Sequence, residues 1–365
     1  MGLRGGALVL GGVLAVTSVL TAAAQEGPSC RGQAATHVGT RGPDVITGTR
    51  GDDVVVARGG NDKIETLGGD DTICAGRGRD LVRAGKGFQD TVYAGDGDDV
   101  VHGGPGRNLL VAGPGDDRMY GSSHYDGFES GRRGERDDED LFVGRGRSDS
   151  FDGDPGDDVI RGGDGTDRIW YFESPAGVTV DLSKGTATGD GRDTLDSFED
   201  VVGTRQDDSV RATNGKNSVF TSTGDDVVYG LGGDDDITDA GGRDELFGGP
   251  GRDLVASSGC VSSSDGPTRC QTDAPTPDVL KGGAGADTVG SGPGEDRVFG
   301  GGGNDLMSGG DGSDELFGGD GDDELHGGTA AGSEPDADDG DVDELDGGPG
   351  TDQCNGEGDT RVACE

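Results

Sequence analysis

The chain has 365 residues, of which 79 are glycine and only 29% hydrophobic, and it carries a formal net charge of -43. Such an acidic balance excludes nucleic-acid binding, because phosphates would be repelled rather than neutralised, and such a low apolar content would ordinarily leave a polypeptide without a fold. Length alone admits one or two domains, but a repeat of fixed period overrides that prior and predicts one stack whose units touch only their neighbours.

At the N-terminus, Met1 to Arg4 carries one positive charge, Ala7 to Leu20 is apolar, and Ala22-Ala23-Ala24 supplies small residues for cleavage. Residues 1–24 are therefore expected to be a secretory signal peptide, with Gln25 heading a mature, extracellular chain. No later segment is long and apolar enough to span a bilayer. Residues 25–38, with Cys30, are expected to form an N-terminal cap on the repeats.

Residues 39–120 run on a period of nine: Asp44, Asp53, Asp62, Asp71 and Asp80, each with glycine two places before it and an aliphatic two places after (Ile46, Val55, Ile64, Ile73, Val82). Glycine-rich turns adopt left-handed backbone conformations and leave carbonyl oxygens uncovered. Runs such as Val54-Val55-Val56 read as short strands. Two units then complete a coil, so turns eighteen residues apart stack on one edge, where a hard cation wanting six to eight oxygens could sit. An extra residue between Ala84 and Tyr93 moves the next acid to Asp90; Asp99 and Asp117 resume the pattern, while Asn108 replaces the acid.

Residues 121–143 are polar and are expected to form an insertion loop, with Glu135 to Asp140 as a solvated acidic run. A second block, 144–170, holds a degenerate copy at Gly144 to Asp152, then Asp158 and Asp167. Residues 171–202 break the period. There Ala176 to Leu182 alternates apolar and polar, which predicts connector strands that continue the stack with wider coils, Trp170 and Tyr171 packing at the entrance. The block 203–256 carries Asp208, Asp226, Asp235, Asp244 and Asp253, with Asn217 in place of one acid; 257–272 is expected to be a disulfide loop. The block 273–326 carries Asp278, Asp287, Asp296, Asp305, Asp314 and Asp323, and is followed by an acidic loop at 327–346 and a last repeat with a C-terminal cap at 347–365.

These units resemble the RTX, or haemolysin-type calcium-binding, repeat family, whose consensus is GGxGxDxUx. Gly282 to Gly290 and Gly300 to Ser308 are good copies. The resemblance implies an all-β fold, a parallel β-roll or β-helix solenoid with loop insertions and disulfide-closed ends. It also implies several calcium ions, held by backbone carbonyls of paired turns together with the twenty repeat aspartates from Asp44 to Asp323, Asp90 aside. First-position glycine is replaced at Ala57, Thr66 and Ala75, among others, so fewer ions than turns are expected.

Six cysteines in an exported chain suggest disulfides, with fifteen pairings open. Cys260 with Cys270 and Cys354 with Cys364 are each ten apart, leaving Cys30 with Cys74 to tie the cap onto the repeats. No H-E-x-x-H or G-x-S-x-G motif occurs, and Ser123-His124-Tyr125-Asp126 offers triad residue types without triad spacing. The expected function is that of a secreted, non-enzymatic calcium-binding protein that folds on meeting calcium. The alternatives are a polysaccharide-modifying enzyme and a calcium-dependent surface adhesin or matrix protein, with an extracellular glycan or cell surface as partner.

Overall fold

The computed structural model describes residues 28–130, 139–153, 155–189, 191–257, 260–261, 269–270, 276–328, 343–355 and 360–364. The expected signal peptide and most of the 257–272 and 327–346 loops lie outside these residues. Each nine-residue unit contributes a turn and a strand. Val45–Thr47 pairs in parallel with Lys63–Glu65, and Val54–Val56 with Thr72–Arg77, so that Ile46 lies against Ile64 and Val55 against Ile73. Partners are eighteen residues apart, as the two-unit coil requires. Alternate strands thus build two parallel sheets, one of them 16-stranded, and no helix occurs among the described residues.

The central residue of each strand points inward. Val55, Ile64, Ile73, Val82, Val92 and Val101 are fully buried, forming two facing files one side chain deep. Near the middle the files become aromatic: Phe128 stacks on Phe151 with ring centroids 4.6 Å apart, and Phe198 meets Phe151 edge-on at 5.3 Å. This explains a departure from the sequence expectation. The stretch 121–143 contains Gly127–Glu129, paired with Leu109–Val111 and Ser150–Asp152, and Leu141–Gly146, paired with Arg118–Tyr120. The ladder therefore runs through the segment expected to be a loop, with phenylalanine standing in the place of the aliphatic.

The connector widens one sheet, as the alternation predicts, but does so by reversing direction. Thr179–Asp181, Thr186–Thr188 and Arg192–Asp196 form an antiparallel meander, whose outer strands pair in parallel with Ser209–Arg211 and Val159–Asp164. The other sheet passes directly from Arg168–Trp170 through Asp200–Val202 to Ser218–Phe220. Tyr171 is buried, its hydroxyl donating to Asp193 Oδ2 at 2.7 Å, whereas Trp170 stands on the outer face at 36% exposure.

Both ends of the stack are cross-linked. Disulfides join Cys30 to Cys74 and Cys354 to Cys364. The first fastens the hairpin of Ser29–Cys30 and Gln33–Ala34 over the opening coils. The second ties the last strand of one sheet, Gln353–Asn355, to Cys364, two residues beyond the other sheet's Thr360–Val362. Capping matters because an open end of a roll offers unpaired backbone groups to other chains. Cys260 and Cys270 are backbone partners in a two-stranded antiparallel ladder; their side chains lie outside the described residues.

Candidate metal centres along the turn edges

Each sheet is entered through a column of stacked turns, and the repeat aspartates line both columns. Within a column, the backbone N–H of one aspartate donates to Oδ1 of the aspartate one coil further on: Asp62 to Asp80 at 2.7 Å, Asp287 to Asp305 at 2.9 Å, Asp305 to Asp323 at 2.9 Å. This bond turns the carboxylate inward. Asp44, in the first turn, is partly exposed, and every other aspartate expected as a ligand is buried.

The second oxygen is left over. Oδ2 of Asp62, Asp80, Asp99, Asp167, Asp235, Asp253, Asp287, Asp305 and Asp323 is buried and has no hydrogen-bond partner. What surrounds it is more acceptor. A Cβ added at Gly300 would lie 2.5 Å from Asp305 Oδ2 and 2.6 Å from the Gly318 carbonyl oxygen; at Gly318 the corresponding distances, to Asp323 Oδ2 and the Gly347 carbonyl, are 2.5 and 2.6 Å. First-position glycine thus leaves a cradle between a carboxylate and the carbonyl of the next coil. Further along the turn, Gly303 has φ +136°, and a side chain there would collide with the Gly285 carbonyl, so stacked turns approach too closely for any other residue.

Asn108 acts as an internal control. Asn108 Oδ1 accepts from the Asp90 N–H as the column aspartates do, and its Nδ2, in the place of Oδ2, donates to the Gly104 carbonyl at 2.8 Å; Asn217 is turned the other way, its Oδ1 accepting from the Thr213 N–H and its Nδ2 donating to the Glu199 carbonyl one coil back at 2.7 Å. Where the aspartate oxygen is replaced by N–H, the group finds acceptors at once. The surroundings of Oδ2 therefore call for positive charge. An unsatisfied buried polar atom costs roughly 1–3 kcal/mol, and a column of them exceeds the ~5–15 kcal/mol net stability of an ordinary domain. Either protons or cations must occupy these positions. The donor set is all oxygen, part carboxylate and part carbonyl, which fits calcium and not a thiophilic metal.

The profile of the RTX calcium-binding nonapeptide repeat matches overlapping stretches spanning residues 38–123, 137–171, 193–255 and 276–331, more than half of the chain. The chain belongs to the RTX calcium-binding repeat family. No match is found among curated proteins.

Not every turn of this RTX roll is alike. Where threonine or serine follows the first glycine, its backbone N–H donates to Oδ2: Thr40 to Asp44, Thr49 to Asp53, Ser122 to Asp126 and Thr204 to Asp208, each at 2.6 Å. Thr49 Oγ1 also donates to the Gly51 carbonyl at 3.1 Å. Beside Gly48 a Cβ would meet Asp53 Oδ2 at 2.5 Å and the Thr66 methyl at 3.0 Å, whereas at Gly39 and Gly121 the Ala57 and Gly144 carbonyls remain at 2.7 and 3.0 Å, so the N–H donor to Oδ2 is what these turns share. Such turns are sealed by their own chain. First-position alanines at Ala57, Ala75, Ala94 and Ala112 place a methyl group where glycine leaves a cradle.

Burial pushes the column carboxyls upward: Asp287 and Asp305 to about 6, Asp99, Asp235 and Asp278 to about 7, and Asp149 to about 8, with neighbouring aspartates adding to the rise in Asp99, Asp149, Asp235, Asp278, Asp287 and Asp305. Several column members are not among the expected ligands. Asp126 and Asp149 sit in units whose apolar residue is phenylalanine, and Asp343 and Asp352 continue the columns after the acidic loop. Asp90 and Asp140 follow irregular spacings, and Glu199 takes an aspartate's place by accepting from the Asp167 N–H at 2.9 Å. The signal that finds them is the acid followed two places later by any apolar residue, Cys354 included.

Proposed function

We propose that the chain is an exported, non-enzymatic protein that binds several calcium ions along both turn columns and acquires its roll by binding them. The carrying observation is the file of buried, partnerless Oδ2 atoms facing carbonyl oxygens, with the Asn108 N–H finding a carbonyl acceptor where it stands in place of Oδ2. Open turns such as those of Asp235, Asp253, Asp287, Asp305 and Asp323 are the ion sites. The sealed turns of Asp44, Asp53 and Asp208 need none. Because such a site barely exists in an unfolded chain, calcium affinity and folding free energy are one quantity. Disulfides at both ends suit an extracellular setting. The Ser123, His124, Asp126 trio carries no catalysis in this reading, since Asp126 is committed to its turn through the Asn108 and Ser122 N–H groups.

Titrating calcium into the metal-stripped mature chain tests this, with far-UV circular dichroism as readout and magnesium as control. A steep, calcium-selective gain of β signal is expected; a chain fully ordered without metal and indifferent to calcium contradicts it. A second reading, retention on an extracellular glycan, has one feature in its favour. On the outer face of one sheet, Tyr229 stacks on Phe247 at 4.8 Å, Phe299 stacks on Phe317 at 5.0 Å, and the Lys281 ammonium lies between the two pairs. Calcium-dependent retention on immobilised polysaccharide, lost in F247A/F299A, would support it.

A further inference from the structure

The unit Asp239-Ala240-Gly241-Gly242-Arg243-Asp244 carries aspartate at the first position, where Gly230, Gly248 and Gly282 head other units. Backbone register places it: Phe220 lies opposite Thr238, and Asp239 opposite Ser257, so Thr221, Asp239 and Ser257 occupy equivalent points in successive coils. Asp239 therefore points into the roll, beside the column members Asp226 and Asp244. Ligand oxygens of the three carboxylates all lie within 4.8 Å of one another, and all three residues are fully buried.

Two of the three are incompletely satisfied. Asp226 N–H donates to Asp244 Oδ1 at 2.9 Å, while Oδ2 of Asp226 and of Asp244 is buried with no hydrogen-bond partner, the Ser257 hydroxyl beside Asp244 being directed to Asp278 Oδ2 at 2.6 Å. The group facing them is the Asp239 carboxyl. Asp239 is itself held in place by neutral donors, Thr221 Oγ1 to Oδ1 at 3.0 Å and the Gly241 N–H to Oδ2 at 2.5 Å. The adjacent cation, Arg243, pairs instead with Asp225 at 2.9 Å on the exposed side. Three carboxylates in one buried space require either a shared proton or a cation between them.

Building on the calcium-binding reading above, we propose that Asp226, Asp239 and Asp244 form a single calcium site with one more carboxylate than the glycine-first turns supply. It is the tightest site in the chain and the first to fill. An oxygen-only set with this charge favours a hard divalent cation, and higher ligand charge is a route by which oxygen sites gain calcium affinity. Filling it orders the coils on either side, so the block 203–256 is where calcium-coupled folding starts.

Calcium titration calorimetry on the mature chain, with a competing chelator to resolve tight binding, tests the assignment against D239N and D239G. The wild type should show one site at least tenfold tighter than the rest. D239N keeps the shape and removes the charge; it should weaken that site at least tenfold and leave the others unchanged. D239G restores the first-position glycine of the other turns, so it remains informative even where D239N does not fold, and it should bring the tight site to the level of the rest. A wild type with no distinct tight site, or a tight phase that survives in D239G or D239N, overturns the assignment and leaves a shared proton as the explanation. A wild type that binds no calcium at all would overturn the broader reading too, whereas unaltered variant titrations would overturn this one alone.

Discussion

The coil at residues 39–56 and the glycine-lined edge at residues 282–323 are built from the same nine-residue unit, yet they meet the charge of a buried acid in opposite ways. In the first, the Thr40 and Thr49 N–H groups donate to Oδ2 of Asp44 and Asp53, and a disulfide from Cys30 to Cys74 fastens a hairpin across the coil. In the second, Gly283, Gly301 and Gly319 take positive φ, and Oδ2 of Asp287, Asp305 and Asp323 is left without a donor. One residue, directly after the first glycine, thus separates a turn that closes on itself from one that waits for an ion. On the proposed reading, the first coil meets its charge with its own N–H groups and the glycine-lined edge meets it with calcium.

Proton concentration should break this contrast most strongly, because many acids act together. Asp80, Asp99, Asp287 and Asp305 have carboxyl pKa values pushed by burial to about 6, 7, 6 and 6, above the unfolded value of 3.8. A raised folded-state pKa contributes stability that is fully present below the unfolded pKa and lost as pH rises through the folded value. The calcium-free body should therefore be ordered near pH 4 and lose β signal between about pH 5 and 8, while calcium affinity falls as pH drops through the same window. Circular dichroism across pH, with and without chelator, checks both.

Opening the first disulfide comes next. Cys30 and Cys74 are 44 residues apart, so C30S/C74S should cost roughly 4 kcal/mol in the chain-entropy account. The loss should fall on the first coil and be similar at low and high calcium, as read by chemical denaturation in both conditions.

A smaller effect carries a change of sign. D305N should remove at least one ion and about 1.5–3 kcal/mol of stability in saturating calcium, yet stabilise the calcium-free chain, because its amide can donate as that of Asn108 does. D53N should alter calcium stoichiometry not at all. The smallest expected change is T49G, which frees the turn to adopt the open form. It should lower calcium-free stability by about 1 kcal/mol and add an ion to the stoichiometry measured by calorimetry.

Much of the fold is legible from two periodic signals, the acid every nine residues and the apolar residue two places later, because each has a direct structural cause in the turn column and the inward file. Legibility falters where one signal is defined too narrowly. Phe128 and Phe151 fill the core as aliphatics do elsewhere, so a pattern that demands an aliphatic misses Asp126 and Asp149. The reversed strand at Thr186–Thr188 has no periodic signature at all, being three residues set by pairing on both sides. Disulfide pairing is legible from the two ten-residue spacings, which leave Cys30 with Cys74 as the remaining pair, as the structure joins them. Least legible is the division of turns into open and sealed. It depends on where one backbone N–H points, and Thr49 and Gly283 look equally ordinary in sequence.

Hydrogen exchange on the mature chain, read by mass spectrometry with calcium and after chelation at about pH 7.5, tests the division directly. The account predicts that amides in residues 36–56 stay protected in both conditions, while those in residues 279–326 are protected only with calcium. Uniform protection in the chelated chain, or loss of protection in both regions together, would contradict it.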